Sequence, residues 1–409
     1  MRVLIVTHEF PPHTFGGIGV FCYSLANALV DSGVDVFVMA GVPLGAYRLR
    51  APQQQMSDGS VKVIKVPRID LPPAHFWYQI LNLNKARELV SKVDVVHAQD
   101  CSAFPLISLC KSKSRRQPWA VTIHTDPVSQ LRCTLKSISS LEGSFRESAT
   151  YVGGFPLWDA SIRAHVKSAD ALVGVSQSLC AEIISHYRLD PRRLSAVHTG
   201  VNMDYLDNIM KASQTRQRSS KRIRIVCAGR FYWGKGFLHL LRSLAHLTHI
   251  IGFEDFQLEM FGRGPLEGKI RRLIMDSNLS RNVRLRGFVK NDQLMTTVAT
   301  SDIVCFPSLY EACPVGMIEA MALGKPIVAF DKPFSREMLG HDKELPLSRN
   351  IGEYARNLHL LCTSEDLRLR VGSCLRDRAR NEFDIKIVAD KYLHLYKDLS
   401  CGQTYGLAQ

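Results

Sequence analysis

The sequence predicts an α/β protein built from two doubly wound domains, each a parallel sheet with helices on both faces. Short apolar runs alternate with segments of helical periodicity, and they do so in two successive series. A polar, basic stretch at residues 211–222 separates the series and suits an exposed connection. The length, 409 residues, exceeds what one hydrophobic core usually supports.

In the first series RVLIVTHEF reads as a strand, Gly16 and Gly17 open a loop, and residues 20–30 form a helix. Phe21, Leu25, Ala28 and Leu29 fall on one face of that helix, and Gly33 can stop it in a left-handed turn. Residues 34–40, 93–98, 120–124 and 171–175 are further strands, apolar enough to be buried on both faces. Ser176 is placed to cap a helix running towards Tyr187. In the second series the strands are residues 223–228, 257–261, 283–286, 303–306 and 326–330. Two such domains leave a cleft between the carboxyl ends of their sheets, where this architecture binds ligands.

Composition is that of an ordinary globular protein, 46% apolar, and no uninterrupted apolar run approaches the roughly 20 residues needed to span a bilayer. The opening MRVLIVTHEFPP reads as a buried first strand rather than a signal peptide. The 11 cysteines are dispersed without a C-x-x-C pair, which fits reduced thiols in a cytoplasmic protein. A net charge of +14 favours an anionic partner without saying which, peripheral contact with an anionic membrane being one that it suits. Basic clusters stand at residues 111–116, 216–224 and 269–272, each readable as a solvated face. Without a zinc-finger spacing, RNP signature or basic zipper, no nucleic acid is expected. The aromatic-rich LPPAHFWYQILNL at residues 71–83 reads either as core packing or as an exposed part of an acceptor-binding region.

The most informative stretch is residues 307–329, PSLYEACPVGMIEAMALGKPIVA, in which Glu311 and Glu319 are separated by seven residues. Glu311 belongs to the loop after a strand and Glu319 to the following helix. Between them Pro314, Val315 and Gly316 fall at the helix start, whose unbonded amides and positive dipole end favour a phosphate. Pro314 fits there because a first-turn residue needs no N–H partner. This combination suits a sugar joined to a nucleoside diphosphate. In GRFYWGKG, after the first strand of the second series, Arg230 and Lys235 can converge on a diphosphate, or be solvated charges of a structural turn. The Gly16–Gly17 pair lacks the G-x-G-x-x-G spacing and reads as a close approach to phosphate or as a plain turn. GRGPLEG at residues 262–268 reads better as a strand-to-helix turn than as a phosphate cradle. His124 ends a strand in VTIHTDP, as a structural imidazole or one facing ligand; Asp126 could meet an acceptor hydroxyl or cap a turn. No cluster has metal-ligand spacing, so neither a metal nor a cofactor beyond the donor is expected.

With these motifs and VGVSQSL at residues 173–179, nearly the whole chain resembles glycosyltransferase family four, retaining enzymes of the GT-B fold with two Rossmann-like domains. The resemblance implies an acceptor-binding domain at residues 1–200, a nucleotide-sugar-binding domain at 201–384, and a last helix at 385–400 that returns to the first. It implies that Arg230 and Lys235 bind the donor diphosphate and that Glu319 holds the ribose hydroxyls. Glu311 would stand beside the transferred sugar, and Phe288 and Val289 would pass the nucleobase. Gly17 would approach the diphosphate, and His124 would touch the sugar and orient the acceptor. Where the family often has Gly-Phe-Gly after the first glutamate, this chain has Ala312-Cys313-Pro314.

The function expected is metal-independent, retaining transfer of a hexosyl group from a nucleotide sugar to an acceptor hydroxyl, on a lipid-linked or cell-envelope glycan. A nucleotide-sugar epimerase of the same fold and a non-catalytic nucleotide-sugar-binding subunit are the alternatives.

Overall fold

A computed structural model of the chain describes residues 1–13, 16–48, 61–69, 81–102, 117–214, 222–340 and 345–401. Its contacts divide into two compact units. One comprises Met1–Leu131, Thr150–Val201 and Ile385–Gln409; the other comprises Arg132–Ala149 and Asn202–Asp384.

The first unit holds a seven-stranded parallel sheet of β1 (Arg2–Thr7), β2 (Asp35–Pro43), β3 (Lys62–Arg68), β4 (Val95–Gln99), β5 (Trp119–Ile123), β6 (Ala171–Gly174) and β7 (Leu194–Ala196), in the order β3-β2-β1-β4-β5-β6-β7. The order reverses beside β1, whose Val3 is in register with Val36 on one side and Val95 on the other. β4, β5 and β6 are buried along their whole length, as expected for strands covered on both faces. The helix Gly17–Asp31 starts earlier than its apolar periodicity indicates, directly at the glycine pair, and Gly33 follows its end at φ +80°. Its buried Phe21, Leu25 and Leu29 share one core with Tyr392 and Tyr396 of the terminal helix Ile385–Ser400. Ser176 caps the next helix, its Oγ accepting from the Leu179 amide at 3.1 Å.

The second unit repeats the plan with β8 (Ile223–Ala228), β9 (Phe256–Phe261), β10 (Val283–Gly287), β11 (Ile303–Phe306), β12 (Ile327–Phe330) and β13 (Leu347–Ser348), all parallel. The order is β10-β9-β8-β11-β12-β13, so direction reverses between β8 and β11. The reversal sends the connections after these two strands to opposite faces and leaves a crevice beyond their carboxyl ends. The doubly wound α/β architecture read from the sequence is therefore present in both halves. β3, β7 and β13 are additions to it. The last two are only three and two residues long, too short to carry a periodic signal.

Candidate functional site

The crevice of the second unit is made by two loops whose glycines are demanded by geometry. After β8, a single tight turn over Trp233–Lys235 ends at Gly236, φ +68°, where a Cβ would lie 1.9 Å from the Pro307 carbonyl oxygen. Only glycine lets the two loops meet this closely. The contact brings Lys235 beside the loop after β11, where its Nζ bonds Glu311 Oε1. The Ser308 hydroxyl donates to the same oxygen at 2.9 Å. The carboxylate is thus held from two sides while mostly withdrawn from water, its side chain 13% exposed. GRGPLEG supports this loop by packing against it. A Cβ at Gly262 would meet the Gly229 carbonyl oxygen at 1.9 Å, and the Phe231 amide donates to the Arg263 carbonyl at 2.9 Å.

Past Glu311 the chain enters the helix Val315–Ala322, with Pro314 at its cap and no side chain closing the helix start. Gly316 is exposed, and a Cβ there would come no nearer than 4.0 Å to Glu319 Oε2. Burial pushes the Glu319 carboxyl up to about 7, against the opposing effect of a hydrogen bond from Asn291. At the end of β10, Phe288 is 75% exposed and Val289 half-buried.

Arg230 is not bonded to the Lys235–Glu311 pair. Its Nη2 lies 3.0 Å from Oε1 of Glu147, a residue of the Arg132–Ala149 segment that groups with this unit. The Glu147 carboxyl is raised by burial, and the guanidinium works against that rise. One turn of chain earlier, Glu142 accepts from Trp233 Nε1 at 3.2 Å and pairs with Arg242 at 2.5 Å. Burial opposes ionisation of Glu142, yet the bonds from Arg242 and Trp233 hold its carboxyl below the ordinary value. Neither glutamate carries a signal in the sequence, because both reach the loop after β8 from a distant segment.

In the first unit Gly16 precedes the helix at φ −165°, ordinary extended backbone, and a Cβ there would meet nothing within 4 Å. The fold itself therefore does not require glycine at this position. The Gly16 amide donates to Glu9 Oε2 at 3.1 Å, so a carboxylate already faces the start of the helix at Gly17. His124, after β5, is buried at 8% exposure. Its backbone amide donates to Asp100 Oδ1 at 2.6 Å, and its Nε2 lies 2.7 Å from Gln99 Oε1. Burial holds the His124 imidazole down at about 3 and raises the Asp100 carboxyl to about 6. Asp126 takes the capping role: it accepts from the Ser129 amide at 2.8 Å and meets His186 Nδ1 at 2.6 Å.

Among the described residues no group of three or more His, Cys, Asp or Glu side chains is arranged to hold a metal ion, and no helix is long and apolar enough to cross a membrane. Residues 71–80 of the aromatic-rich stretch and the basic cluster at 111–116 lie outside the described residues.

Two family models match the chain in succession: Glycosyltransferase Family 4 over residues 15–205 and Glycosyl transferases group 1 over residues 209–377. An MMP alpha-(1->4)-mannosyltransferase of Mycolicibacterium hassiacum is 25% identical over 432 aligned positions, covering 97% of this chain and 98% of its own. Among solved structures, a sucrose-phosphate synthase of Thermosynechococcus elongatus superposes with a TM-score of 0.75 at 18% identity, over 98% of this chain and 99% of its own. Anabaena HepE, in complex with UDP and glucose, superposes with a TM-score of 0.70 at 15% identity, over 97% of this chain and all of its own.

Proposed function

The chain belongs to glycosyltransferase family four, with the GT-B fold, and from that premise we propose that it moves a sugar from a nucleotide-diphosphate donor to an acceptor hydroxyl with retention of anomeric configuration. The observation that carries this reading is the Lys235–Glu311 pair at the β8/β11 reversal, set beside a helix start that no side chain caps. A cation, a fixed carboxylate and open amides suit a ligand that is anionic at one end and hydroxyl-rich at the other. The mannosyltransferase relative supports sugar transfer, and the structure holding UDP and glucose supports the donor class.

In this reading Arg230 and Lys235 hold the donor diphosphate together with the helix start at Pro314, Val315 and Gly316. Glu319 takes the ribose hydroxyls, Phe288 and Val289 pass the nucleobase, and Glu311 holds a hydroxyl of the transferred sugar. From the first unit, Gly16 and Gly17 admit phosphate or sugar close to backbone, and His124 orients the acceptor. The bond from the anomeric carbon to the leaving phosphate oxygen breaks as the acceptor oxygen attacks the same face. The acceptor proton passes to a donor phosphate oxygen. Negative charge growing on the diphosphate is met by Arg230, Lys235 and the amides, so the residues themselves supply the stabilisation. The proposed acceptor is a lipid-linked or cell-envelope glycan at an anionic membrane face, in keeping with the net charge of +14.

The test incubates the protein with UDP-, GDP- and ADP-sugars and an acceptor pool, and reads the anomeric coupling of the product by proton NMR. A glycoside of unchanged anomeric configuration is expected. An inverted product would overturn retention, and an isomerised nucleotide sugar without glycoside would overturn transfer.

A further inference from the structure

The segment Arg132–Ala149 turns an apolar tip to solvent. Leu135, Ile138, Leu141 and Phe145 are all exposed, Leu141 at 85% and Phe145 at 87%. The tip is a built turn: Lys269 Nζ donates to the carbonyl oxygens of Leu141, Glu142 and Gly143 at 2.9, 3.0 and 3.2 Å. A Cβ at Gly143 would meet Ser137 Oγ at 2.5 Å, and Leu141 itself is held at φ +56°. A branched aliphatic residue in the left-handed region, with its side chain in water, is unfavourable on both counts.

Charge is sorted along the same segment. Arg132, Lys136 and Arg146 are exposed. Its two acids, Glu142 and Glu147, are drawn inward to Arg242 and Arg230, with side chains 20% and 16% exposed. The outward face therefore combines apolar and basic residues with the carboxylates withdrawn. Apolar insertion rimmed by cations is the composition of an interfacial contact with anionic lipid. A protein partner would want the apolar residues but gives no reason for removing every acid.

We propose that this tip seats in the headgroup boundary of an anionic bilayer, with Leu135, Ile138, Leu141 and Phe145 entering it and Arg132, Lys136 and Arg146 meeting lipid phosphates. The assignment rests on the membrane-linked acceptor proposed above and locates where the lipid surface is met. Because Glu147 pairs with Arg230, the lipid-seated segment also borders the proposed donor loop.

The test is flotation of the full chain with phosphatidylcholine vesicles, with and without phosphatidylglycerol, at low and high salt. Wild type floats with the anionic vesicles at low salt. Leu141→Asp and Phe145→Asp each lower partitioning about tenfold, and Arg132→Glu with Lys136→Glu removes the salt-dependent part. Stabilisation by nucleotide sugar persists in every variant, which controls for folding. Wild type that stays unbound, or aspartate variants that float like wild type, would overturn the assignment. So would a change confined to dimer dissociation in light scattering, which would make the face a contact between copies. Turnover of lipid-linked and water-soluble acceptors separates this inference from the acceptor reading. If wild type floats but uses both acceptors equally, the acceptor reading fails and the docking stands. If the lipid-linked acceptor is preferred but the aspartate variants float like wild type, the docking fails alone.

Discussion

Arg230 Nη2 lies 3.0 Å from Glu147 Oε1, so the guanidinium assigned to the donor diphosphate already carries a carboxylate. On the proposed donor site, a diphosphate would have to displace or share that partner. An ion pair with one well-exposed member is worth about 0–1 kcal/mol, so Glu147→Gln should tighten donor binding up to about fivefold. Arg230→Ala should weaken it about tenfold or more, since a charge-assisted bond to phosphate is lost. Isothermal titration with the preferred nucleotide sugar reads both. Weaker binding in Glu147→Gln would mean instead that the glutamate aims the guanidinium.

Lys235 and Glu311 form the other pair, and here burial raises the stakes. Lys235→Ala leaves a carboxylate at 13% exposure with the Ser308 hydroxyl but without its cation. On the proposed mechanism it also removes a cation from the leaving diphosphate. Steady-state assays should show kcat/KM falling about 100-fold or more. Lys235→Arg should not restore it, because a planar fork does not replace a compact ammonium in a site closed by Gly236 and Pro307. Activity near wild type in Lys235→Ala would remove the lysine from the mechanism.

Most of this arrangement was legible because local constraints produce it. Buried parallel strands leave continuous apolar runs, and the carboxyl ends of β8 and β11 fall where those runs stop. The glycines of GRFYWGKG mark a loop that must approach other backbone closely, which Gly236 does. The elements that escaped are those without a local pattern. β13 is two residues long, and β3 carries Lys62, Lys65 and Arg68 among its apolar residues. Glu142 and Glu147 were invisible for another reason: an ion pair across a long stretch of chain depends on how the chain is folded, and one sequence carries no trace of it.

The terminal helix should be held by a buried polar network. Tyr396 OH lies 2.6 Å from His97 Nδ1, while His97 Nε2 meets Thr122 Oγ1 at 2.7 Å and Thr122 meets Tyr392 OH at 2.9 Å. All four side chains are fully buried. Tyr396→Phe leaves that ring nitrogen only Gln99 Nε2, 3.5 Å away, and should cost about 1–3 kcal/mol in urea unfolding. Burial lowers His97 from 6.5 to about 3, so the folded state takes up that proton less readily than the unfolded chain. The stability this neutral histidine permits is present above pH 6.5 and is lost as pH falls towards 3. His97→Gln should flatten that part of the acid limb.

Glu319 runs the other way. Its folded value, raised from 4.5 to about 7 by burial, means that the folded chain keeps a proton which the unfolded chain has released. Its contribution to stability therefore declines as pH rises from about 4.5 to 7, and Glu319→Gln should remove that decline. Ligand reverses the preference. Ribose hydroxyls donate best to the ionised carboxylate, so nucleotide binding should release a proton and tighten with pH. The expected gain approaches tenfold per unit below about 7 and levels off above it. Titrating the nucleotide from pH 5.5 to 8.5 in two buffers of different ionisation enthalpy reads affinity and proton release together. A pH-independent affinity in wild type, or the same slope in Glu319→Gln, would take the ribose away from this residue.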